Sequence, residues 1–522
     1  MISLADGQNN QVVLGNSYVG NYAAYIVAGN YNSQYTFSQG GNLVPVNNGN
    51  NIATALPLMN DQVLDIDVPA YSVKFTFTLN GVSFPASEYD DAVFYLQRDD
   101  GGERILLGNS HAAIDPVWLM PGTYDVIYQV ETPGAMVPLN QNAIVDTVVI
   151  DNTTSVVVID ITTVSFRLDV TLDNAAFPVS QYEDGDFLLL NADGDRAELG
   201  ATYELPLIVN VIEGTYDIVY AHETGTSVPL NSEASIAGNQ LINAANADTN
   251  LNIQSALITP QITHNGNAFP VSEYQDANIY LRGTGNNNDQ ILLTNTHTDS
   301  PPAIKIIRGT YNVIYQHETG DQVPQNTNAV VAENVVLNAD QALPVDIASV
   351  DITGTFTLNG NNFTSSQFQV AEFHFRGTAP GDEFLLGYSN DGEGTAKIIS
   401  GTYDIVYKHT DGNDIPRNPQ NTITNGLLLD TSQSIRINVL ATFLSPVFTL
   451  NNQAFPEDSN DYAQFYLHGE TADDRIFIGK SYVMQNVSAL VVNDSYDVMY
   501  EYIKGGNIPI NAQTRVATID VP

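Results

Sequence analysis

Acidic side chains cluster in a predicted hairpin turn, and carboxylates in a tight loop are ligands that calcium takes in proteins. They are Asp99, Asp100 and Glu103 in one copy of the turn, and Asp193 and Asp195 in the next. None has the spacing of a known calcium loop, and Asp, Asn and Gly are also the residues that tight turns need. These five residues are therefore calcium candidates, with ordinary turn chemistry as the favoured interpretation.

Three histidines occupy one equivalent position of a repeat, at His222, His317 and His409. A histidine in a loop is a metal ligand in some proteins, but a solvated surface residue is the favoured interpretation here. The sequence contains no His-Glu-x-x-His, no phosphate loop, no Gly-x-Ser-x-Gly and no dinucleotide fingerprint. We therefore expect no enzyme, and no cofactor other than calcium.

The charge of the chain excludes several partners. Its net charge is -42, from 59 acidic and 17 basic residues, so it repels nucleic acid and anionic membranes. It contains no cysteine and no apolar stretch of the roughly 18 residues that span a bilayer. The first residues lack the basic start and apolar core of an export signal. An extracellular location would therefore need a signal outside this sequence.

One motif recurs six times and sets the organisation of the chain. Four copies read Gly-Thr-Tyr-Asp/Asn-Val/Ile-Ile/Val-Tyr and a weaker copy stands at each end, and their starts differ by 93, 92, 95, 92 and 93 residues. In the copy from Gly122 to Tyr128, the strand period of two places Tyr124, Val126 and Tyr128 on one face, which we expect to be core. An aromatic stripe that stacks sugars or bases is the less favoured alternative.

The sixth copy begins with Asp494, but in the other five copies the first tyrosine follows a glycine by two residues. This resembles the tyrosine corner of immunoglobulin-like sandwiches, in which the hydroxyl bonds back to a nearby backbone group. The tyrosines concerned are Tyr31, Tyr124, Tyr216, Tyr311, Tyr403 and Tyr496.

About seven short strands separated by turns fill each repeat, which is typical of a β-sandwich. In the second repeat they include Val73–Leu79, Ala92–Leu96, Ala143–Ile150 and Ser155–Ile161. The fold class is therefore all-β, with six tandem sandwich modules in a linear array. The predicted modules are 1–70, which lacks its first strand, then 71–163, 164–255, 256–348, 349–440, and 441–522, which lacks its last strand.

The Pro-Gly-Thr-Tyr-Asp-Val segment at Pro121 also resembles the strand entry of transthyretin-like modules, such as carboxypeptidase-regulatory-like and Cna-B-like repeats of bacterial surface proteins. This resemblance implies a sandwich, often in the stalk of a surface protein. Cna-B-like modules often carry a Lys–Asn isopeptide crosslink. Lys74 has no lysine counterpart in the later modules, so the crosslink is not carried over.

No flexible linker separates the modules, so a semi-rigid rod is expected. At roughly 35 Å per module, its length would be on the order of 200 Å. The incomplete terminal modules have two explanations, a window cut from a longer array or subunits that complete each other by strand addition. In the second case the assembly ends are Met1, Ile2, Leu4, Ile519 and Val521.

We therefore expect an extracellular structural protein, bacterial and at the cell surface. It would be the subunit of a filament assembled head to tail by strand complementation, or a segment of a long stalk. Its partners would be copies of itself or further modules of the same array. The alternative is an adhesin whose module loops bind glycans or calcium.

Overall fold

The structure is a computed structural model of the 522-residue chain. It describes residues 1–7, 10–19, 22–39, 43–285, 289–469, 474–482 and 488–522. Strands are the main element of the described residues, which also contain two single-turn 3₁₀ helices at Thr202–Glu204 and Ser389–Asp391. No helix in the described part of the chain is long and apolar enough to cross a membrane. The all-β prediction is confirmed.

The strands fall into six groups, which we call modules 1 to 6. Modules 1 and 2 contain β1 Ile2–Ala5, β2 Gln11–Gly15, β3 Gly29–Thr36, β4 Asn48–Leu58; and β5 Tyr71–Leu79, β6 Val82–Ser83, β7 Asp91–Arg98, β8 Ile105–Asn109, β9 Val117–Leu119, β10 Gly122–Thr132, β11 Ala143–Ile150, β12 Val156–Ile161. Modules 3 and 4 contain β13 Thr163–Leu172, β14 Ala175–Ala176, β15 Asp184–Leu190, β16 Arg196–Ala201, β17 Leu207–Ile212, β18 Gly214–Thr224, β19 Ala234–Ile242, β20 Asp248–Ile253; and β21 Ser255–His264, β22 Asp276–Gly283, β23 Gln290–Asn295, β24 Ile304–Ile307, β25 Gly309–Thr319, β26 Ala329–Leu337, β27 Gln341–Ile347. Modules 5 and 6 contain β28 Ser349–Leu358, β29 Asn361–Asn362, β30 Val370–Arg376, β31 Glu383–Tyr388, β32 Glu393–Ile399, β33 Gly401–Asp411, β34 Asn421–Leu429, β35 Gln433–Val439; and β36 Ala441–Leu444, β37 Thr449–Leu450, β38 Gln453–Ala454, β39 Tyr462–His468, β40 Arg475–Lys480, β41 Ala489–Val492, β42 Ser495–Lys504, β43 Thr514–Asp520.

Module 2 shows the arrangement that modules 3 to 5 repeat. One sheet has the order β11-β10-β7-β8, with the repeated motif on β10 in its interior. The second sheet is built on β5, which pairs antiparallel with β9 and parallel with β12. The inward faces of both sheets form the core, in which Tyr124, Val126 and Tyr128 are fully buried. The motif thus supplies core side chains on the predicted face.

The first and last strands of a module pair in parallel, which the sequence pattern does not reveal. In module 2 the pairing runs from Val156 opposite Lys74 to Ile161 opposite Leu79. The same parallel pair forms between β13 and β20, between β21 and β27, and between β28 and β35. In each of these four modules, the first and last strands therefore pair with each other within the module.

Among the residues that the structure describes, module 6 lacks the last strand of this pair and module 1 lacks both strands. Module 1 forms one sheet of order β2-β1-β3-β4. In module 6, β36 pairs only with β41, and no last strand lies beside it. A groove along Leu444 to Thr449 is lined by Phe465, Leu467, Ile478 and Ile519.

The predicted assembly end at Met1, Ile2 and Leu4 lies at β1. Strand β1 hydrogen-bonds to β2 on one side and to β3 on the other, and Leu4 is buried. Both edges of β1 are therefore occupied within this chain. At the other end, β43 pairs only with β42 and forms a sheet edge, where Ile519 is half-buried and Val521 is buried.

The expectation of an extended, semi-rigid rod requires a correction, because the two ends of the array are in contact. Asn511 in module 6 hydrogen-bonds Tyr31 in module 1, and Val27 of module 1 packs against the core of module 6. One junction repeated with the same rotation closes into a ring when that rotation fits the number of units. The six modules therefore form a closed ring.

Candidate functional site at the module junctions

A second motif recurs in the loop that follows the Tyr motif, with the pattern Val/Ile-Pro-x-Asn. Its six copies are Val44–Asn47, Val137–Asn140, Val228–Asn231, Val323–Asn326, Ile415–Asn418 and Ile508–Asn511. The asparagine is at most 1% exposed in every copy. A buried amide side chain needs several hydrogen-bond partners. The protein around this asparagine must therefore supply them.

The partners of this asparagine belong to the next module, as Asn326 of module 4 shows. Its Oδ1 accepts the backbone N–H of Ile399 at 2.8 Å. Its Nδ2 donates to the hydroxyl of Tyr403 and to the carboxylate of Asp382, both at 2.9 Å. The N–H of the preceding residue, Gln325, donates to the carbonyl of Lys397 at 2.8 Å. One side chain thus satisfies three groups of the neighbouring module.

The same asparagine–tyrosine bond forms at the other chain-consecutive junctions. Its Nδ2–OH distances are 2.7 Å for Asn47–Tyr124, 3.0 Å for Asn140–Tyr216, 2.9 Å for Asn231–Tyr311 and 2.7 Å for Asn418–Tyr496. The backbone N–H that the Oδ1 accepts is that of Met120, Ile212, Ile307 and Val492, respectively.

Each tyrosine of the junction also donates to the chain four residues upstream. Tyr124 donates to the Met120 carbonyl at 2.7 Å, and Tyr403 to that of Ile399 at 2.6 Å. Burial raises the pKa of Tyr124 to about 12, so its hydroxyl stays protonated and can donate. The predicted tyrosine-corner residues thus serve two purposes, since the same hydroxyl ties down its own module and accepts the asparagine of the preceding one.

The second tyrosine of the Tyr motif holds the asparagine loop in place from inside its own module. Its hydroxyl donates to the carbonyl of the proline in the Val/Ile-Pro-x-Asn motif, for example from Tyr315 to Pro324 at 2.7 Å and from Tyr407 to Pro416 at 2.7 Å. Since the asparagine follows that proline by two residues, the core positions it directly. The two motifs therefore form one unit that repeats around the array.

Several acidic residues of the predicted hairpin turn lie at these junctions. Asp195 is fully buried, and its oxygens accept the Asn140 amide and the backbone N–H groups of Gln141 and Asn142. Burial raises its pKa. Asp193 is exposed on the same turn. These protein donors occupy the oxygens that a calcium ion would need.

The other calcium candidates lie at the junction of modules 1 and 2. Asp100 accepts the Asn50 amide at 3.0 Å and forms an ion pair with Arg98 at 3.1 Å. Glu103 accepts the amide of Asn48, and Asp99 is exposed. Within the described ranges, no group of three or more His, Cys, Asp or Glu side chains is arranged to hold a metal ion.

Asp474, at the junction of modules 5 and 6, differs from its counterparts. It is 1% exposed, and burial raises its pKa to about 7. Its Oδ2 accepts the Asn418 amide. The Gln420 N–H also faces the carboxylate and lowers its pKa in part, but Oδ1 forms no hydrogen bond of good geometry with the residues described. Pro419 follows Asn418, whereas at the preceding junction Thr327 follows Asn326 and donates its N–H to Asp382 at 2.8 Å. Proline has no N–H, so one donor is missing here.

Apolar side chains interlock across the same junctions. Ile212 of module 3 belongs to the core of module 2, and Val492 of module 6 to that of module 5. Ile307 and Ile399 pack against the cores of modules 3 and 4 in the same way. Each module thus donates an aliphatic residue to the core before it, which limits rotation at the junction.

The contact between modules 6 and 1 is a sixth copy of this junction. Asn511 Nδ2 donates to the Tyr31 hydroxyl at 2.9 Å, and its Oδ1 accepts the Val27 N–H at 2.7 Å. The Ile510 N–H donates to the Tyr25 carbonyl at 2.7 Å, as Gln325 does to Lys397. This junction has the asparagine, tyrosine and backbone hydrogen bonds of the other five, and no covalent link of the chain crosses it. The buried carboxylate that accepts the asparagine amide at the four junctions between modules 2 and 6 has no counterpart here among the described residues, nor at the junction of modules 1 and 2, where Asn50 accepts the amide of Asn47.

The three equivalent histidines have a local role. The Nε2 atoms of His222, His317 and His409 lie 3.0, 2.8 and 2.9 Å from the carbonyl oxygens of Gly225, Gly320 and Gly412. In module 6, the Tyr502 hydroxyl donates to the Gly505 carbonyl instead. This position therefore braces the loop that carries the junction asparagine.

No family model matches the sequence, and no curated protein matches it. Among solved structures, the Bacillus anthracis TIE protein is similar at 11% identity and a TM-score of 0.15, over 68% of this chain and 69% of that one. A Streptococcal ancillary pilin is similar at 10% identity and a TM-score of 0.18, over 52% and 98%. Two B repeat units of the collagen binding protein of Staphylococcus aureus are similar at 10% and 0.13, over 70% and 99%. They include modules of the kind that the sequence resembles.

Proposed function

We propose that this chain is a structural protein of a bacterial cell surface, and that its copies join head to tail through the junction that also joins its own modules. The observation that carries the proposal is the sixth junction between Asn511 and Tyr31. Its two halves lie on the first and last modules and are not linked by the chain. A half-junction that closes within one molecule can also close between two, as in domain swapping.

The charge of the chain bears on where this assembly would take place. With a net charge of -42, copies repel each other at long range, and screening by salt weakens that repulsion. The junction itself is made of buried neutral hydrogen bonds and apolar contacts, which salt screens little. Assembly should therefore increase with ionic strength.

Strand complementation is a second contact that would join copies. The apolar groove of module 6 lies beside β36, at the position where β12 lies beside β5 in module 2. A strand with the pattern of β12 would cover Phe465, Leu467 and Ile519. It would pair with the chain from Leu444 to Leu450, which follows β36 and corresponds to the part of β28 that pairs with β35.

Mixing two variants with one damaged end each tests the junction. Asn511→Ala removes the module 6 half, and Val27→Asp places a charge in the module 1 half. Neither variant can close the ring or polymerise through this junction, but a mixture retains one intact half on each partner. Analytical ultracentrifugation should show monomers of each variant alone and one-to-one dimers in the mixture.

Asn231→Ala is the matched control, because it breaks the same bonds at a junction that the chain links covalently. It should leave assembly of the whole chain intact. A mixture that remains monomeric at every concentration, while the unaltered chain assembles, would refute junction-mediated assembly and leave strand addition to module 6. An unaltered chain that stays monomeric throughout would refute head-to-tail assembly by either contact.

A further inference from the structure

A row of exposed aromatic rings is unused by the core and by the junctions. Tyr89, Tyr182, Tyr274 and Phe368 occupy one equivalent position in modules 2 to 5, and they are 76%, 73%, 74% and 65% exposed. Single exposed apolar side chains are common on proteins, but the same exposure in four successive modules is a pattern. In module 2, Phe84 lies five residues before Tyr89 and is buried in the core. The same loop therefore carries one buried and one exposed aromatic side chain.

Each ring is carried by a fixed turn. In module 3 the Tyr182 N–H donates to Ser180 Oγ at 3.2 Å, and the Glu183 N–H donates to the Ser180 carbonyl at 3.0 Å. The Glu183 carboxylate then accepts the N–H groups of Thr226 and Ser227 in the loop before the junction. The aromatic turn is thus tied to the junction loop of its own module.

The other modules repeat this connection with different side chains. Asp90 accepts the Val137 N–H at 3.0 Å, Gln275 accepts that of Gln322 at 2.7 Å, and Gln369 accepts that of Asp414 at 2.9 Å. Carboxylate and amide oxygens therefore perform the same task. The backbone that carries each exposed ring is therefore held in place, which lowers the entropy lost when a ligand covers the ring.

The ring closure places these aromatics on one side of the molecule. Equivalent residues of units related by rotation about one axis lie at the same height along that axis. Tyr89, Tyr182, Tyr274 and Phe368 therefore form an arc with one ring per module. If the array opens and polymerises, the arc becomes a helical row of the same spacing.

We propose that this row binds a neutral polysaccharide. A tyrosine ring offers a flat apolar face and a polar hydroxyl, which matches a sugar with its C–H face and polar rim. Anionic polymers are repelled by the net charge of -42 and by the acidic neighbours Glu88 and Asp90. A lipid surface would need a contiguous apolar area, whereas each module contributes one ring. A polymer of repeating sugars matches a repeating site, and linked weak contacts raise the apparent affinity by about 10²–10⁴.

Affinity electrophoresis of the full chain tests this site, with soluble neutral glucans, mannans and xylans in the gel and with alginate as the anionic counterpart. We expect retardation by at least one neutral polymer and none by alginate. Replacing all four aromatics by alanine should abolish the retardation, while each single replacement should weaken it several-fold. Val82→Ala and Val158→Ala are matched controls, because these residues are 59% and 66% exposed and lie outside the row.

Three outcomes would overturn the proposal: no retardation by any neutral polymer, retardation that the fourfold variant retains, or stronger retardation by alginate. Sedimentation of the fourfold variant separates this site from head-to-tail assembly. If the fourfold variant loses self-association instead of polysaccharide binding, the row is a contact between copies. The site does not depend on the proposed assembly, since Asn511→Ala should leave retardation by the monomer intact.

Discussion

The buried carboxyl of Asp474 should make the last junction more stable in acid than at neutral pH. Burial raises its pKa from 3.8 to about 7, although the Asn418 amide and the Gln420 N–H lower it in part, and its Oδ1 forms no hydrogen bond of good geometry with the residues described. The unfolded carboxyl ionises near 3.8, so between that pH and about 7 the folded chain holds an extra proton. The free energy of unfolding of module 6 therefore falls as pH rises through this window and levels off above it.

The size of the effect follows from the shift. A shift of about 3 pKa units corresponds to about 4 kcal/mol between pH 4 and pH 7. Asp474→Asn removes the charge and keeps the shape. Its oxygen can still accept the Asn418 amide, while its NH₂ takes the position of the unpartnered Oδ1. Since that NH₂ remains unpaired, we expect a net gain of about 2 kcal/mol at pH 8, or about 10 °C for a unit of this size.

Differential scanning calorimetry of the full chain at pH 4.5 and pH 8 measures this change. Hydrogen exchange of peptides from β41 and β42 assigns the transition to module 6. The variant should unfold later than the unaltered chain at pH 8 and not at pH 4.5. Pro419→Thr should also stabilise module 6 at pH 8, because it restores the N–H that Thr327 supplies one junction earlier.

Asp382→Asn is the matched control, and it should have the opposite sign. Both oxygens of Asp382 accept donors, from Asn326 and from the N–H of Thr327, so an NH₂ group must face one of them. We expect a loss of about 1–3 kcal/mol at pH 8. If Asp474→Asn lowers the transition at pH 8, or shifts it equally at both pH values, the account of a desolvated and underpaired carboxylate is wrong.

Three further predictions concern the interior junctions. Asn326→Ala leaves the Ile399 N–H and the Asp382 carboxylate without one hydrogen-bond partner each. Calorimetry should therefore show that the free energy of unfolding of the adjoining modules falls by about 3 kcal/mol. An unchanged transition would contradict the role of this amide. Tyr403→Phe deletes a hydroxyl that both donates and accepts a hydrogen bond. Thermal unfolding should show that the free energy of unfolding falls by about 1–2 kcal/mol. A change near zero would mean that the asparagine alone holds the junction. Millimolar calcium should leave the unfolding of module 3 unchanged, because protein donors already occupy the oxygens of Asp195. This prediction would be refuted if titration calorimetry showed saturable calcium binding that the Asp195→Asn variant loses.

The strands of the repeat could be predicted from the sequence, because a strand leaves a local periodic pattern of apolar residues. The strand predicted at Val73–Leu79 is observed at Tyr71–Leu79, and that at Ala143–Ile150 has the same bounds. The interior face of the Tyr motif was also evident from its period of two. The pattern did not show that Ile127, on the opposite face, is buried as well, since one strand does not reveal what covers its outer side.

The contacts at the module junctions could not be predicted from the sequence, because they join residues that are far apart in the chain. Asn326 and Tyr403 are 77 residues apart, so their bond leaves no mark in any local window. One signal was available, namely that Val/Ile-Pro-x-Asn recurs at the interval of the Tyr motif. An asparagine invariant among variable loop residues points to a buried amide. The ring closure depends on the rotation at each junction, and sequence spacing carries no information on that angle.

The parallel pairing of the first and last strands has a consequence under mechanical load. A force that pulls the two ends of module 2 apart acts at the start of β5 and at the end of β12, which run in the same direction. The pull is therefore directed along the strands and across their hydrogen bonds, so the ladder is loaded in shear and its bonds resist together. An antiparallel terminal pair would be peeled open one bond at a time. Modules 2 to 5 thus carry the geometry that resists extension, and the junction between modules 6 and 1, which has no covalent link, would yield before any of them.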